Sequence, residues 1–243
     1  MRQVVLYERH EQHMKGMSSV LETQADALRV LLVGGSPQTC DAVFLKHLYA
    51  DCDLVVAVDR GLDTVLDAGL PCDLFCGDAD SVGARGLLAV RRCEEGEPSE
   101  VFAVERYDPY KDFTDLSLAL RAIDSRWGSV ELVCTCLTGG RPDHALAALG
   151  CILRWDGPVC LEEQGFSGRL LRAGASWQMT GFQGSTFSFV CLSPVGVVSE
   201  RGMEWELDHK RVELLSDLGI SNIVTDDAEV TCHEGAIAAY LIR

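Results

Sequence analysis

The first half of the chain alternates short, fully apolar runs with segments whose apolar residues recur at helical spacing. The apolar runs lie at residues 30–33, 53–59, 72–76, 101–104 and 130–137. Runs that are apolar at nearly every position are typical of parallel strands covered on both faces. Helical patterns at 62–68, 84–92, 112–125 and 144–154 separate them, after a first helix of about a dozen residues that opens at Ser36-Pro37. The alternation predicts an α/β unit built on a mostly parallel sheet.

The second half has a different pattern, in which short strands follow one another with glycines between them and no helices. The predicted strands lie at residues 159–161, 169–171, 176–179, 186–191, 195–199, 228–232 and 236–242. This spacing is typical of a β-sandwich or a barrel. We therefore predict a polar N-terminal extension at 1–27, an α/β domain at 28–155 and an all-β domain at 156–243.

The charge of the chain limits its partners. The 243 residues include 21 Lys and Arg against 37 Asp and Glu, which gives a net charge of −16. The long-range field of such a protein repels polyanions, so nucleic acid and anionic membrane surfaces are unfavourable partners. The same field attracts a small cation.

The eleven cysteines form no C-x-x-C motif, and several lie inside apolar runs. That usage is typical of free thiols in a reducing compartment. No apolar stretch is long enough to span a bilayer, and the N-terminus lacks the apolar core of a secretory signal. We expect a cytoplasmic protein.

Two carboxylates one residue apart follow the third apolar run, in Gly77-Asp78-Ala79-Asp80-Ser81. Acids placed this closely repel each other, and a divalent cation carrying a phosphorylated ligand would compensate. The alternative is a tight surface turn held by Asx hydrogen bonds. The motif leaves both open.

A second pair of acids lies in Lys111-Asp112-Phe113-Thr114-Asp115, at the predicted start of a helix. Residues three apart are neighbours on one face of a helix, so Asp112 and Asp115 could act together. Asp112 as helix cap and Asp115 in the first turn would explain the pattern equally well.

Gly139-Gly140-Arg141-Pro142-Asp143-His144 follows the fifth apolar run. The glycines let backbone approach a phosphate, Arg141 can bind phosphate oxygens through two hydrogen bonds, and the following helix presents free N–H groups. A simple loop with Asp143 as cap and His144 exposed is the alternative.

These motifs, together with Asp59-Arg60-Gly61, all follow predicted strands, where open parallel sheets bind ligands. Carboxylates for Mg²⁺ with Arg and Lys for phosphate oxygens are the equipment of phosphoryl or nucleotidyl transfer. The chain has no G-x-x-x-x-G-K-[ST] motif and is therefore not a P-loop enzyme.

From about residue 29 to its end, the chain resembles the thiamine pyrophosphokinase family. The motifs that carry the resemblance are Val58-Asp59-Arg60-Gly61, Gly77 to Ser81, Lys111 to Asp115, Gly139 to His144, Ser193-Pro194-Val195-Gly196, Gly202 to Leu207 and Gly219-Ile220-Ser221-Asn222. They occur in the family's order.

The resemblance implies that the enzyme transfers pyrophosphate from ATP to the hydroxyl of thiamine and releases AMP. It also implies an α/β domain for ATP and Mg²⁺, a β-sandwich that holds thiamine, and a homodimer with sites between subunits. The carried-over roles are metal binding by Asp78, Asp80 and Asp112; catalysis by these three with Asp115, Arg141 and Asp143; nucleotide binding by Asp59, Arg60, Lys111, Gly139, Gly140 and His144; and thiamine binding by Trp205, Ser221 and Asn222. An ordinary buried core position is the alternative for Trp205.

The sequence departs from the family pattern at three positions. Arg60 replaces a glycine, Ala79 replaces a phenylalanine, and Ala148 stands where asparagine is common. None of these changes removes a carboxylate. Two alternatives remain, a D-x-D nucleotide-sugar transferase and a catalytically weak thiamine-binding regulatory protein.

Overall fold

The computed structural model describes residues 28–97, 102–108 and 112–243. The predicted extension at 1–27 and Lys111 lie outside the described residues. Residues 28–164 form one compact unit and residues 165–243 belong to a second. No helix in the described ranges is long and apolar enough to cross a membrane.

Six strands form the sheet of the first unit. They are β1 (Arg29–Val33), β2 (Leu54–Val58), β3 (Leu74–Gly77), β4 (Ala103–Arg106), β5 (Glu131–Thr135) and β6 (Val159–Glu163). Their order is β6-β5-β1-β2-β3-β4, and every neighbouring pair is parallel. The predicted parallel sheet is confirmed, because apolar side chains on both faces of the central strands are buried by covering helices.

Five helices accompany these strands. They are α1 (Ala42–Tyr49), α2 (Gly61–Asp67), α3 (Ala84–Glu94), α4 (Asp115–Trp127) and α5 (Pro142–Ile152). Asp41 caps α1 by accepting a hydrogen bond from the N–H of Phe44 at 2.8 Å. Pro142 stands in the first turn of α5, where its missing N–H costs nothing.

Two predictions for the helices are wrong in detail. The helix expected from residue 112 begins at Asp115, because Thr114 is the cap and accepts from the N–H of Ser117. Asp112 therefore precedes the helix and does not share a helical face with Asp115. The first helix is also shorter than predicted, because it begins at Ala42 and not at Ser36-Pro37.

The strand at β6 also differs from the expected domain organisation. Its residues fall within the all-β domain that the sequence predicts at 156–243. It pairs in parallel with β5 through Leu132 and Val159, Val133 and Cys160, and Cys134 and Leu161. The α/β unit consequently continues to residue 164.

The second unit contains seven antiparallel strands. They are β7 (Phe166–Arg172), β8 (Ala175–Met179), β9 (Thr186–Cys191), β10 (Val195–Met203), β11 (Leu207–Glu213), β12 (Asn222–Glu234) and β13 (Ala236–Ile242). The first residues of β12 pair with β9. β9 also pairs with β13, and β13 pairs with β7. The rest of β12 pairs with β8 and β10, and β10 pairs with β11. One long strand thus takes part in both layers of the predicted β-sandwich.

The sandwich encloses its own apolar core, which includes Phe187, Phe189, Met179, Val230 and Ile237. Among the seven strands of this unit, β11 is the one that the sequence does not predict. Its residues, LDHKRVE, are mostly exposed because it is an edge strand paired only with β10 in the described structure. Neither apolar alternation nor a continuous apolar run marks such a strand.

Candidate active site

The strand order of the α/β unit creates a crevice between the loops that follow β1 and β5. These two strands are neighbours, but the chain leaves β1 toward β2 on one side and leaves β5 toward β6 on the other. A reversal of this kind is a topological switch point, where open α/β sheets bind ligands outside the carboxyl ends of the strands. The loops after β2 and β3 lie along the same edge.

Asp59 and Gly77 bring the loops after β2 and β3 into contact. The Asp59 N–H donates to the carbonyl of Cys76 at 3.0 Å. A Cβ placed on Gly77 would lie 2.0 Å from Oδ1 of Asp59, so the carboxylate occupies the space that a side chain would fill. Gly77 is thus required by close approach, and it places Asp59 immediately beside the residue that precedes Asp78.

Asp78 and Asp80 form a local turn. Oδ1 of Asp78 accepts a hydrogen bond from the N–H of Asp80 at 3.0 Å. Asp78 is half-buried and Asp80 is exposed, while Ala79 between them is buried with φ of 64°. The Asx turn expected as an alternative is therefore present. It does not exclude ligand binding, because a carboxylate has about four acceptor sites and the turn uses one of them.

Glycines also let the loops after β1 and β5 touch. A Cβ on Gly139 would lie 2.5 Å from Ser36 Oγ and from Gln38 Cβ, and one on Gly140 would lie 2.4 Å from Pro37. Ser36 donates its N–H to the carbonyl of Cys136 at 3.0 Å. The predicted phosphate loop therefore packs directly on the loop after β1.

Arg141 and Asp143 pair with each other at the exposed start of α5. The guanidinium donates two hydrogen bonds to the carboxylate, from Nε to Oδ1 at 3.1 Å and from Nη2 to Oδ2. Because of this ion pair, the pKa of Asp143 is lowered to about 2, and the pKa of Arg141 is raised. Both side chains are more than half exposed. Asp143 thus positions the guanidinium in addition to standing near the crevice.

The other predicted site residues of this unit differ in their exposure to solvent. Asp112 and His144 are exposed, and Asp115 is half-buried in the first turn of α4. Arg60 is half-buried and lines a cavity of about 310 Å³ together with Ser81. Ala148 is buried on α5, so its side chain packs in the interior.

The described residues by themselves do not form a complete metal site. Across residues 28–97, 102–108 and 112–243, no three His, Cys, Asp or Glu side chains are grouped so that they could hold a metal ion. Mg²⁺ commonly takes only one or two carboxylates and completes its shell with water and substrate phosphates. The Asp78 and Asp80 turn beside Asp59 fits that second arrangement.

Glu163, at the end of β6, is a positioning residue that the sequence did not single out. Its carboxylate accepts hydrogen bonds from the N–H groups of Cys136, Leu137 and Thr138 at 3.0, 2.9 and 3.2 Å. It thereby holds the segment that leads into Gly139 and Gly140. Like the other acids at this edge of the sheet, Glu163 stands at the end of a buried strand. That position could have identified it from the sequence.

The predicted thiamine residues lie in the all-β unit. Trp205 is 59% exposed, which rules out the core alternative. The Asn222 side chain accepts from the Trp205 N–H at 3.1 Å and donates to the Trp205 carbonyl at 2.8 Å. Ser221, with φ of 62°, donates its N–H to Ser188 Oγ at 2.9 Å. The structure thus brings Trp205, Asn222 and Ser221 to one end of β12.

Glu200 is a second residue that the sequence missed. It is 1% exposed on β10, and its Oε2 lies 3.4 Å from the side-chain nitrogen of Asn222. Burial raises the pKa of Glu200 from its ordinary 4.5 to about 7. A titratable group therefore lies directly behind the exposed Trp205 turn.

The fold and the acidic, glycine-lined edge define an α/β protein with a ligand crevice at the ends of parallel strands, followed by a β-sandwich. Residues 45–160 match the model of the thiamin pyrophosphokinase catalytic domain, and residues 177–237 match that of the thiamin pyrophosphokinase vitamin B1 binding domain. The chain belongs to the thiamin pyrophosphokinase family.

Individual relatives agree with this assignment. The chain is 39% identical to thiamine pyrophosphokinase of Bacillus subtilis over 95 residues, which span 38% of this chain and 40% of the relative. The crystal structure of a family protein from Enterococcus faecalis has a TM-score of 0.70 at 27% identity and covers 88% of this chain and 99% of that one. The fold is also shared with the Candida albicans enzyme, at a TM-score of 0.71, 15% identity and coverage of 89% and 90%.

Proposed function

We propose that this protein is a thiamine pyrophosphokinase, which transfers the pyrophosphoryl group of ATP to the hydroxyl of thiamine and releases AMP. The observation that carries the proposal is the approach of the Asp59 carboxylate to Gly77, directly before the Asp78 and Asp80 turn, at the carboxyl edge of the parallel sheet. The matches to a catalytic and a vitamin B1 binding domain support it.

Asp78 and Asp80, with Asp59 beside them, would hold Mg²⁺ together with water and substrate phosphates. Asp112 is the third ligand that the resemblance implies, although the described residues do not group it with the other two. The ion supplies charge neutralisation at the phosphate oxygens. Asp78 is suited to this role because the hydrogen bond that its Oδ1 accepts from the Asp80 N–H fixes the orientation of its carboxylate. Asp115, half-buried at the start of α4, would orient the Asp112 segment.

The polyphosphate would lie against the loop after β5. Gly139 and Gly140 carry no side chain that could keep a phosphate at a distance, and Arg141 is held in one orientation by Asp143. The guanidinium retains further N–H donors for phosphate oxygens. Arg60, Lys111 and His144 would add positive charge in a protein whose net charge is −16.

Thiamine would stack on Trp205. The ring is exposed and is flanked in the chain by two exposed acids, Glu204 and Glu206. A cationic aromatic ligand is favoured by an aromatic face and by neighbouring negative charge. Asn222 fixes the backbone of Trp205, and Ser221 offers a hydroxyl next to it.

The proposed enzyme is a cytoplasmic homodimer with sites formed between subunits. Exposed apolar side chains in the connection from β11 to β12 support an interface in the all-β unit. These side chains are Leu214, Leu215, Leu218 and Ile220. The eleven cysteines are all free in the structure, which suits a reducing compartment.

One assay tests the activity. The protein is incubated with ATP, MgCl₂ and thiamine, and thiamine diphosphate and AMP are quantified by chromatography. Equal amounts of both products support the proposal. Thiamine binding without product favours a regulatory thiamine-binding protein, for which Arg60, Ala79 and Ala148 are the motivating departures. If the protein neither binds thiamine nor forms product, the proposal is overturned.

The carboxylates are tested by Asp78→Asn and Asp80→Asn. Asparagine at 78 can still accept the N–H of Asp80, so the turn persists while the charge is lost. We expect kcat to fall at least about 100-fold with little change in the free energy of unfolding. Asp226→Asn is the control, because Asp226 also accepts a local N–H, from Asp227 at 2.9 Å, in the other unit. Retained activity in both site variants would refute the assignment.

A further inference from the structure

Two cysteines meet at the switch-point crevice. Cys136 directly follows β5, and Cys40 precedes the cap of α1. Their sulfur atoms are 3.7 Å apart, with Cys40 as the acceptor of the Cys136 thiol hydrogen in this arrangement. The pair therefore spans the same two loops that Gly139 and Ser36 bring into contact.

The backbone around Cys136 is held on both sides. Its N–H donates to Glu163, its carbonyl accepts from Ser36, and φ at Cys136 is 54°. Cys40 is half-buried in a loop. A disulfide has a sulfur separation of about 2.05 Å. Closing the remaining gap thus requires movement mainly of the segment that carries Cys40.

Small molecules can reach one member of the pair. Cys40 lines the cavity of about 310 Å³ that also contains Arg60 and Ser81, whereas Cys136 is fully buried. The hydrogen bond between the sulfurs lowers the pKa of Cys136 and raises the pKa of Cys40. The pair therefore gives up one proton more readily than two separate buried thiols, and the remaining proton is shared between the two sulfurs.

We propose that Cys40 and Cys136 form a reversible disulfide that locks the loops after β1 and β5 together and weakens nucleotide binding at the crevice. The disulfide itself is independent of the proposed function, while its effect on ATP rests on that function. The loop carrying Gly139 and Gly140 already packs on Ser36 to Gln38, so a covalent bridge beside it leaves the crevice less room to open for a polyphosphate.

The oxidant is a hydroperoxide. After the pair has lost one proton, the remaining proton passes from Cys40 to Cys136 along the hydrogen bond between the sulfurs. The Cys40 thiolate then attacks one peroxide oxygen, so that an S–O bond forms, the O–O bond breaks and the leaving hydroxide takes a proton from solvent to become water. The sulfur of Cys136 then attacks the sulfur of the sulfenic acid. An S–S bond forms, the S–O bond breaks, and hydroxide leaves with the Cys136 proton as a second water. A dithiol such as dithiothreitol reverses the reaction by exchange.

The disulfide is tested on the full chain with hydrogen peroxide. Remaining thiols are blocked with iodoacetamide, and the digest is examined by mass spectrometry. We expect a peptide pair linked through Cys40 and Cys136 that disappears after dithiothreitol. Alkylation of both residues after peroxide treatment, or linkage to other cysteines, would overturn the proposal.

The effect on nucleotide is measured by calorimetric titration of ATP with MgCl₂ into reduced and oxidised protein. We expect oxidation to weaken ATP binding about 10-fold or more, and we expect Cys40→Ser to abolish this response. Cys93→Ser is the control, because Cys93 is a half-buried thiol on α3, and it should respond as the unaltered chain does.

The outcomes separate the two proposals. If reduced protein binds no ATP, the proposed function fails while the mass-spectrometric result still decides whether the disulfide forms. If the disulfide forms and ATP affinity is unchanged, the regulatory role is refuted.

Discussion

The carboxamide of Asn222 satisfies both backbone polar groups of Trp205, accepting from its N–H at 3.1 Å and donating to its carbonyl at 2.8 Å. Asn222 is 5% exposed, whereas Trp205 is 59% exposed. A buried side chain therefore holds an exposed aromatic ring in place through the backbone.

Asn222→Ala should lower the free energy of unfolding by about 1–3 kcal/mol, because the carboxamide's hydrogen bonds to Trp205, Ile223 and Glu200 are lost at a buried position. It should also raise KM for thiamine. Urea denaturation and steady-state kinetics measure the two effects. Ser221→Ala is the matched control for stability: its N–H bond to Ser188 is made by the backbone and remains. Equal stability losses in both variants would contradict the role given to Asn222.

Glu200 should make stability depend on pH. Its pKa is about 7 in the folded protein against an ordinary 4.5, so the folded state binds the proton more tightly. Stability should therefore fall as pH rises from about 4.5 through 7 and level off above, with a total loss on the order of 3 kcal/mol. Glu200→Gln stays neutral and should remove this decline, as measured by urea denaturation between pH 5 and 8.

Glu204→Gln serves as the control for Glu200, because Glu204 is an exposed glutamate in the turn that directly follows β10. Its stability should follow the pH dependence of the unaltered chain. A decline that persists unchanged in Glu200→Gln would show that Glu200 is not its source.

Gly77→Ala should damage the site through Asp59. The new Cβ would lie 2.0 Å from the Asp59 carboxylate, which must then move. We expect kcat to fall at least 10-fold and the free energy of unfolding to drop by about 1–3 kcal/mol. Gly165→Ala is the control, since a Cβ there meets no atom within 4 Å and should change neither quantity. Full activity in Gly77→Ala would show that the Asp59 position is not required.

The ion pair at the start of α5 should appear in the titration of Asp143. Its carboxyl group should titrate with a midpoint near 2 in the unaltered protein, since Arg141 stabilises the charged form. Arg141→Gln should return the midpoint toward about 3.9, as followed by carboxyl ¹³C chemical shifts. Asp208, whose pKa is lowered by His209 instead, should titrate as before. An unshifted Asp143 would mean that the pair does not persist in solution.

Local patterns in the sequence predicted most of the fold. The apolar runs that became β1, β2, β3 and β5 needed no information beyond their own composition, because a strand buried on both faces must be apolar throughout. The same logic failed for β11, whose position at an edge removes the apolar signal. It also assigned β6 to the wrong unit, because a short apolar strand does not reveal its partner.

For the site, the sequence by itself determined which residue types stand at the ends of the strands. The motifs around Asp59, Asp78 and Gly139 could be placed at one edge because parallel strands share their direction. Only the tertiary structure decided that Asp59 fills the space above Gly77, that Glu163 holds the loop after β5, that Glu200 lies beside Asn222, and that Cys40 meets Cys136 across 96 positions of sequence. These contacts depend on loop conformation and on distances between segments far apart in the chain, and neither leaves a periodic signal in the sequence.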